Sequence, residues 1–151
     1  MNRVLMVCLG NICRSPLAQG ILQSKIDSNK IEVDSAGTGS WHVGNLPDSR
    51  SIAVAKKYHI DITNQRCRQF EVSDFDAFDV IYVMDKYNQK DVLSLARNQA
   101  DREKVILILS EVTSKNHMDV PDPYHDYEDG FEKVFQMLNE ACEVIANKLS
   151  R

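Results

Sequence analysis

The sequence predicts an α/β fold in which helices cover both faces of a parallel β-sheet. Four short apolar runs rich in β-branched residues predict strands at residues 3–8, 31–35, 79–84 and 104–109. Helical patterns separate these runs, and such alternation is typical of βαβ units. At 151 residues the chain is long enough to bury one substantial core, so we expect a single domain over residues 1–151.

The starts of the helices are predicted from capping residues. Ser15 and Pro16 are typical of an N-cap and a first helical position, so they predict a helix that runs to about residue 26. Pro47-Asp48 predicts the start of a helix that ends near residue 59, and Asp85 is expected to cap a third.

The last helix has the clearest pattern. Between residues 131 and 149, apolar side chains recur at spacings of three and four, which predicts a helix with one buried face. Cys142 lies on that face and is interpreted as a small core hydrophobe. Cys67 lies in a polar segment, and the sequence assigns it no role.

Composition excludes several classes of function. The chain has 18 Lys and Arg residues, 22 Asp and Glu residues and a net charge of −4, without a basic stripe, so we expect no nucleic-acid binding. No apolar run approaches the ~20 residues that span a bilayer, so we expect no membrane insertion. The run VLMV before Cys8 is too short for a secretory signal, and we expect a cytoplasmic location. The four cysteines form no Cys-x2-Cys pair, which argues against a zinc site or a disulfide framework.

The segment VCLGNICRSP, residues 7–16, carries the strongest functional signal. It joins a predicted strand, ending near Cys8, to a predicted helix, beginning near Ser15, and α/β folds bind ligands at such positions. The unpaired N–H groups and the dipole of the helix favour an anion, and Gly10 and Asn11 tolerate unusual backbone angles. The loop is therefore predicted to bind a phosphate.

Two side chains in this loop add reactivity to the anion site. The field that attracts an anion also favours the thiolate form of Cys8, which is a nucleophile. Arg14 carries a planar fork that matches two phosphoryl oxygens. Together they indicate phosphoryl transfer to sulfur. The alternative is a buried thiol at the end of a strand beside a solvated arginine.

Three segments make the sequence resemble the low-molecular-weight protein tyrosine phosphatases. They are VCLGNICRSP, DSAGTGSWHVG (34–44) and PDPY (121–124), and the resemblance covers essentially the whole chain. It implies a single phosphatase domain with a flavodoxin-like, four-stranded parallel sheet in the order 2-1-3-4 and no metal or other cofactor. It also implies hydrolysis of phosphotyrosine and aryl phosphates through a cysteinyl-phosphate. The substrate would be a phosphotyrosine-containing protein, and the enzyme a monomer or weak oligomer.

The resemblance implies a role for each residue of the site. Cys8 would be the nucleophile, Arg14 the phosphate clamp and Asp122 the general acid. Ser15 would help Cys8 to leave, and Asn11 would hold the shape of the loop. The rest of the phosphate-binding loop would consist of Leu9, Gly10, Ile12 and Cys13.

Residue chemistry supports the assignment of Asp122 without deciding it. An aryl phosphate needs a proton for its leaving phenolate and then a base for the attacking water, and one carboxyl group can serve both needs. Pro121 and Pro123 flank Asp122 and stiffen its loop. An exposed acid in an ordinary turn remains the alternative.

Leu9, Trp41 and Tyr124 are expected to form a deep slot that accepts a phenyl ring. Ordinary core packing is the alternative for Trp41.

The sequence differs from the family pattern at two positions. Where many relatives carry a second tyrosine after DPY, this chain has His125, and where many carry histidine before ARQ it has Gln65. The second difference bears on the hydrogen bonds that support Asn11.

Two other functions remain open from the sequence. An arsenate reductase would use the same loop together with a further pair of closely spaced cysteines. A non-catalytic phosphotyrosine reader or a redox-sensing module would use the loop for binding. Cys13 lies five positions after Cys8 in the same loop and is expected to trap oxidised Cys8 as a disulfide. Packing of Cys13 under the loop is the alternative.

Overall fold

The computed structural model describes residues 2–112, 118–125 and 128–150 and contains a four-stranded parallel sheet in the order β2-β1-β3-β4. This confirms the predicted fold class and strand order. The strands are β1 (Asn2–Cys8), β2 (Ile31–Gly37), β3 (Val80–Val83) and β4 (Val105–Leu107). The helices are α1 (Arg14–Gln23), α2 (Ser49–Lys57), α3 (Asp74–Ala77), α4 (Lys86–Leu93), α5 (Gln99–Glu103) and α6 (Glu128–Leu149), with a 3₁₀ turn at Ile108–Glu111.

The alternation of side chains along β1 creates two cores. Val4 and Met6 point to one face, where α1, α2 and α6 pack against one another. Leu5 and Val7 point to the other face and pack in a cluster that includes Phe75 of α3. Because β1 is buried on both faces, its carboxyl end and the loop that follows are held between two packed layers.

The predicted start of the first helix is wrong by one or two residues. α1 begins at Arg14, and its N-cap is Cys13, which makes no side-chain capping hydrogen bond. Ser15 lies inside the helix because its hydroxyl group is used by neighbours in the loop rather than by the helix backbone. The helix also ends at Gln23, earlier than residue 26.

Other helix ends agree better with the sequence. Asp48 caps α2 by accepting from the Arg50 N–H at 2.9 Å, although α2 ends at Lys57 rather than near residue 59. Asp85 caps α4 by accepting from the Asn88 N–H at 2.8 Å, as predicted. The short helices α3 and α5 were not predicted, and β4 is shorter than the apolar run 104–109 because a 3₁₀ turn follows it.

The periodic face of α6 is buried as predicted, and Cys142 is fully buried on it. Of the helices in the described part of the chain, none is long and apolar enough to cross a membrane.

Candidate active site

The loop between β1 and α1 is held against the end of β2. The Thr38 N–H donates to the Cys8 carbonyl oxygen at 2.9 Å, and the Gly39 N–H donates to that of Leu9 at 2.8 Å. A Cβ atom at Gly37 would lie 2.8 Å from the Leu9 carbonyl oxygen and 2.9 Å from the Asn11 nitrogen. Only glycine therefore allows the loop to approach the strand this closely.

Asn11 shapes the middle of the loop. Its φ of 56° is left-handed, a region that asparagine tolerates better than most residues. The side-chain NH₂ donates to the hydroxyl groups of Ser15 at 2.8 Å and Ser35 at 3.0 Å. Its carbonyl oxygen accepts from the Arg68 backbone N–H at 3.0 Å. Asn11 is buried, so these bonds hold the loop in one conformation.

Cys8 is the last residue of β1 and lies at the base of the loop. Its sulfur is 3.0 Å from the hydroxyl oxygen of Ser15. That hydroxyl also accepts from Asn11, so its own hydrogen is left to point toward the sulfur or toward the Ala36 carbonyl oxygen at 3.4 Å. A hydroxyl donor at this distance stabilises a thiolate.

Arg14 is buried beside Cys8, with 2% of its side chain exposed. Its Nη1 donates to Asp85 Oδ2 at 2.6 Å and to the Val120 carbonyl oxygen at 3.0 Å. Its Nη2 lies 3.7 Å from Asp122 Oδ2. Burial opposes the charged guanidinium, but the negative charges of Cys8, Asp85 and Asp122 outweigh burial and raise the pKa of Arg14.

A cavity of about 210 Å³ opens above the loop. Its walls include Leu9, Trp41 and Tyr124, the three residues predicted for the slot, and Cys8, Arg14 and Asp122 also line it. The side chain of Trp41 is 68% exposed, so core packing is excluded as its role. A Cβ atom at Gly39 would lie 1.9 Å from the Trp41 ring, so this glycine is needed for the ring to lie where it does.

Hydrogen bonds connect the loop that carries Asp122 to α2. Arg50 Nη2 donates to the Tyr124 carbonyl oxygen at 2.8 Å, and the Arg50 guanidinium is also paired with Asp48 at 3.0 Å. Asp122 Oδ1 accepts from the Tyr124 N–H at 3.1 Å. The Asp122 side chain is 44% exposed, so it is accessible at the mouth of the cavity.

Comparison with known proteins agrees with this geometry. Residues 3–151 match the sequence model of the family described as low molecular weight phosphotyrosine protein phosphatase. The chain belongs to this family. The phosphatase from Schizosaccharomyces pombe that bears the family's name is 40% identical over 141 residues, covering 90% of this chain and 89% of the relative.

Solved structures of other phosphatases resemble the chain over nearly its full length. A protein tyrosine phosphatase from Entamoeba histolytica, with Hepes in its active site, has a TM-score of 0.92 and 36% identity, covering 99% of this chain and 97% of its own. Vibrio vulnificus Wzb, in complex with benzylphosphonate, has a TM-score of 0.87 and 31% identity, covering 97% of this chain and 98% of its own. Both similarities extend well beyond the loop motif.

Sequence reasoning missed three features of this phosphatase site. His42 lines the cavity, and a Cβ atom at Gly10 would lie 3.1 Å from its ring. The position of His42 next to Trp41 in the quoted segment was the available signal. The buried Cys67 thiol donates to the Asn11 carbonyl oxygen at 2.8 Å, and no local signal indicated this contact. His125 also lines the cavity, with its ring 5.0 Å from that of Tyr124.

Gln65 does not take part in the support of Asn11. Its Nε2 donates to the Pro16 carbonyl oxygen at 3.1 Å, and its Oε1 is buried with no partner among the residues that the structure describes. The Arg68 backbone, Ser15 and Ser35 provide the hydrogen bonds to the Asn11 side chain. The difference at Gln65 therefore leaves the bonds to this side chain intact.

Cys13 is a buried free thiol that lines the same cavity as Cys8. Burial raises its pKa well above the ordinary value, and the charges of Asp48 and Cys8 raise it further. The Cys13 thiol therefore keeps its proton at neutral pH. Within residues 2–112, 118–125 and 128–150, no group of three or more His, Cys, Asp or Glu side chains is arranged to hold a metal ion.

Proposed function

We propose that this phosphatase hydrolyses phosphotyrosine in protein substrates, with Cys8 as the nucleophile. The observation that carries the proposal is the arrangement at one end of one cavity. There the Cys8 sulfur lies 3.0 Å from the Ser15 hydroxyl, and Arg14 and Asp122 line the same space. A nucleophile, a fixed cation and a carboxyl group are the groups with which a phosphomonoester can be hydrolysed through a cysteinyl-phosphate.

Arg14 is pre-oriented for binding the phosphoryl group. Asp85 and the Val120 carbonyl oxygen accept hydrogen bonds from Nη1 and hold it in place. Because the guanidinium is planar and rigid, these bonds also fix the orientation of its other nitrogens. The backbone N–H groups at the start of α1 favour the same anion. In the transition state these donors stabilise the charge that spreads over the phosphoryl oxygens.

The first chemical step transfers the phosphoryl group to sulfur. The Cys8 thiolate attacks phosphorus and forms the S–P bond, while the bond from phosphorus to the phenolic oxygen breaks. Asp122 gives its proton to the departing phenolate, so the substrate leaves with an unphosphorylated tyrosine side chain. The exposure of Asp122 at the mouth of the cavity supports this role, because the leaving group departs toward solvent.

The second step releases phosphate. Asp122, now ionised, accepts a proton from a water molecule that attacks phosphorus as the S–P bond breaks. Cys8 leaves as a thiolate, which the Ser15 hydroxyl stabilises by donating across 3.0 Å. The products are inorganic phosphate and the original enzyme, so atoms and charge are balanced without a further reactant.

Leu9, Trp41 and Tyr124 determine selectivity for an aromatic ester in this proposal. Their apolar surfaces line the cavity around the position of a phenyl ring, and a phosphoserine side chain leaves these surfaces without a partner. Wzb, which has 31% identity to this chain, was solved with benzylphosphonate, a phosphonate with an aromatic ring. That complex supports an aromatic substrate here.

The remaining thiols do not favour arsenate reduction. Cys142 is fully buried on α6, and the Cys67 thiol is occupied by the Asn11 carbonyl oxygen. Neither is placed as an exposed relay partner for Cys8.

We further propose a cytoplasmic location, consistent with four free thiols, and action as a monomer or weak oligomer. Cys13 is proposed to protect Cys8 from irreversible oxidation.

Kinetics with purified protein test the function. We expect hydrolysis of phosphotyrosine in the presence of a chelator, little hydrolysis of phosphoserine and no reduction of arsenate, with vanadate as a competitive inhibitor. Cys8→Ser should abolish turnover and keep phosphate-analogue binding. Activity that requires added Mg²⁺ or Zn²⁺, or turnover that persists in Cys8→Ser, contradicts the proposal.

A further inference from the structure

A second groove adjoins the phosphate cavity on the side of α4. It has a volume of about 360 Å³ and shares Leu9, Arg14 and Asp122 with the phosphate cavity. Tyr87 forms a wall of this flank groove, and its side chain is 78% exposed. An exposed aromatic side chain next to a catalytic cavity is available to contact the part of a substrate that lies outside that cavity.

The flank groove is acidic. Three of its lining residues are aspartates, namely Asp85, Asp119 and Asp122, and Arg14 is its cationic lining residue. Arg14 and Asp85 form an ion pair at 2.6 Å, so these two charges offset one another. Asp122 lies 3.7 Å from the same guanidinium, so Asp119 is the acid on which the charge argument rests. Asp119 keeps a carboxylate at the groove while its Oδ1 accepts from the Lys86 backbone N–H at 3.1 Å. The charge pattern favours a cationic occupant.

Asn88 provides a separate indication that the groove takes a ligand. It lines the groove and is 1% exposed, and its side-chain carbonyl oxygen has no hydrogen-bond partner in the described part of the chain. An unpaired acceptor of this kind is costly when buried, and a donor supplied by a ligand would satisfy it. Its backbone N–H is used by Asp85 in the cap of α4, so the helix holds the side chain in place.

We propose that the flank groove binds the side chain of a lysine or arginine close to the phosphotyrosine in a peptide substrate. This inference rests on the proposed function and names the substrate sequence that the site prefers. The cation would lie against the Tyr87 ring, beside the Asp119 carboxylate, with its N–H groups available to Asn88. An acidic side chain there would face the Asp119 carboxylate, and an apolar one would leave Asn88 unpaired.

Peptide kinetics at low salt test this proposal. Phosphotyrosine peptides that differ at one position, carrying Lys, Gln or Glu, are compared at each of the three positions on either side of the phosphotyrosine. We expect kcat/KM to be at least about threefold higher for Lys than for Gln at one or two positions, with Glu the poorest. Free phosphotyrosine is measured in parallel.

Variants assign the preference to the groove. Asp119→Asn removes the charge but keeps an oxygen that can cap Lys86, and Tyr87→Ala removes the aromatic wall. Both should reduce the Lys preference to near unity and leave hydrolysis of free phosphotyrosine unchanged. Asp91→Asn is the matched control, since Asp91 is an exposed acid on α4 that lines a different cavity, and it should keep the preference.

The outcomes separate the groove from the catalytic proposal. Equal rates for Lys, Gln and Glu at every position, together with rapid hydrolysis of free phosphotyrosine, overturn the flank groove alone. A Lys preference that survives in both Asp119→Asn and Tyr87→Ala also overturns it. Failure to hydrolyse any phosphotyrosine substrate overturns the proposed function and, with it, the groove.

Discussion

The Cys67 thiol donates a hydrogen bond to the Asn11 backbone carbonyl oxygen across 2.8 Å. The same residue joins the segment after Trp41, because its N–H donates to the Asn45 carbonyl oxygen and its carbonyl oxygen accepts from Gly44, both at 2.8 Å. Cys67 therefore connects the phosphate loop to the segment that carries one wall of the substrate slot. Asn11 has a left-handed backbone, so a bond to its carbonyl oxygen helps to hold a conformation that few residues adopt.

Replacement of Cys67 tests this connection. Cys67→Ala removes the donor and leaves the Asn11 carbonyl oxygen without it, so we expect the free energy of unfolding to fall by about 1–2 kcal/mol. Cys67→Ser keeps a donor and should lie closer to the wild type. Urea denaturation measures both values. Equal stability of the alanine variant and the wild type contradicts a role for the hydrogen bond.

Arg14→Lys is expected to lower kcat by at least about tenfold on aryl phosphates. An ammonium group cannot bond Asp85 and the Val120 carbonyl oxygen and still present two parallel donors to the phosphoryl oxygens. Steady-state kinetics measure the loss. Arg97→Lys is the control, because Arg97 pairs with Asp76 and Asp101 away from the cavity, and it should keep the wild-type rate.

Asp122→Asn should show a defect that depends on the leaving group. A tyrosine phenol has a pKa of about 10, so loss of its proton donor should lower the rate on phosphotyrosine by about 10²- to 10⁴-fold. With a much more acidic phenol, formation of the cysteinyl-phosphate should recover while its hydrolysis stays slow. Stopped-flow measurement should then show a burst of phenol before slow turnover.

Two neighbouring acids are controls for Asp122. Asp119→Asn and Asp129→Asn should show neither the large loss on phosphotyrosine nor the burst. If one of them reproduces the leaving-group dependence and Asp122→Asn does not, the general acid has been assigned to the wrong residue.

Cys13→Ser should make inactivation by peroxide harder to reverse. In the wild type, mild peroxide converts the Cys8 thiolate to a sulfenic acid, and the Cys13 thiol then displaces water to form a disulfide that added thiol reduces. Without Cys13, oxidation proceeds to the sulfinic acid, so less activity returns. Activity after peroxide and then dithiothreitol is the measurement, and Cys142→Ala is the control. Recovery of the Cys13→Ser variant as complete as that of the wild type refutes the protective role.

The buried Cys142 thiol should make the free energy of unfolding decrease at alkaline pH. Burial raises its pKa from the ordinary 9.0 to about 12. Between these values the folded protein keeps a proton that the unfolded chain has lost, so the free energy of unfolding falls as pH rises; below pH 9 this contribution is constant. Urea denaturation should show a decline steeper by about 1.4 kcal/mol per pH unit for the wild type than for Cys142→Ala. Parallel declines would contradict the assignment.

The local sequence determined the phosphate loop and the helix caps next to the active site. The phosphate loop is one contiguous segment that contains Cys8, a glycine, an asparagine and Arg14. Its chemistry could therefore be predicted from the sequence alone. Asp85 was predicted as a helix cap for the same reason, because a cap bonds a backbone N–H three residues away. The buried face of α6 also follows from spacing along a single helix.

Only the tertiary structure decided which residues support the phosphate loop and which groove adjoins the phosphate cavity. Ser15 was interpreted as a helix cap, but packing against Cys8 and Asn11 gives its hydroxyl other partners and moves the helix start to Arg14. Cys67 contacts Asn11 from 56 positions away. Asp119 reaches the groove beside Tyr87 from a different loop. No local pattern encodes such contacts, because they exist only after the sheet order has brought the carboxyl ends of separate strands to one edge.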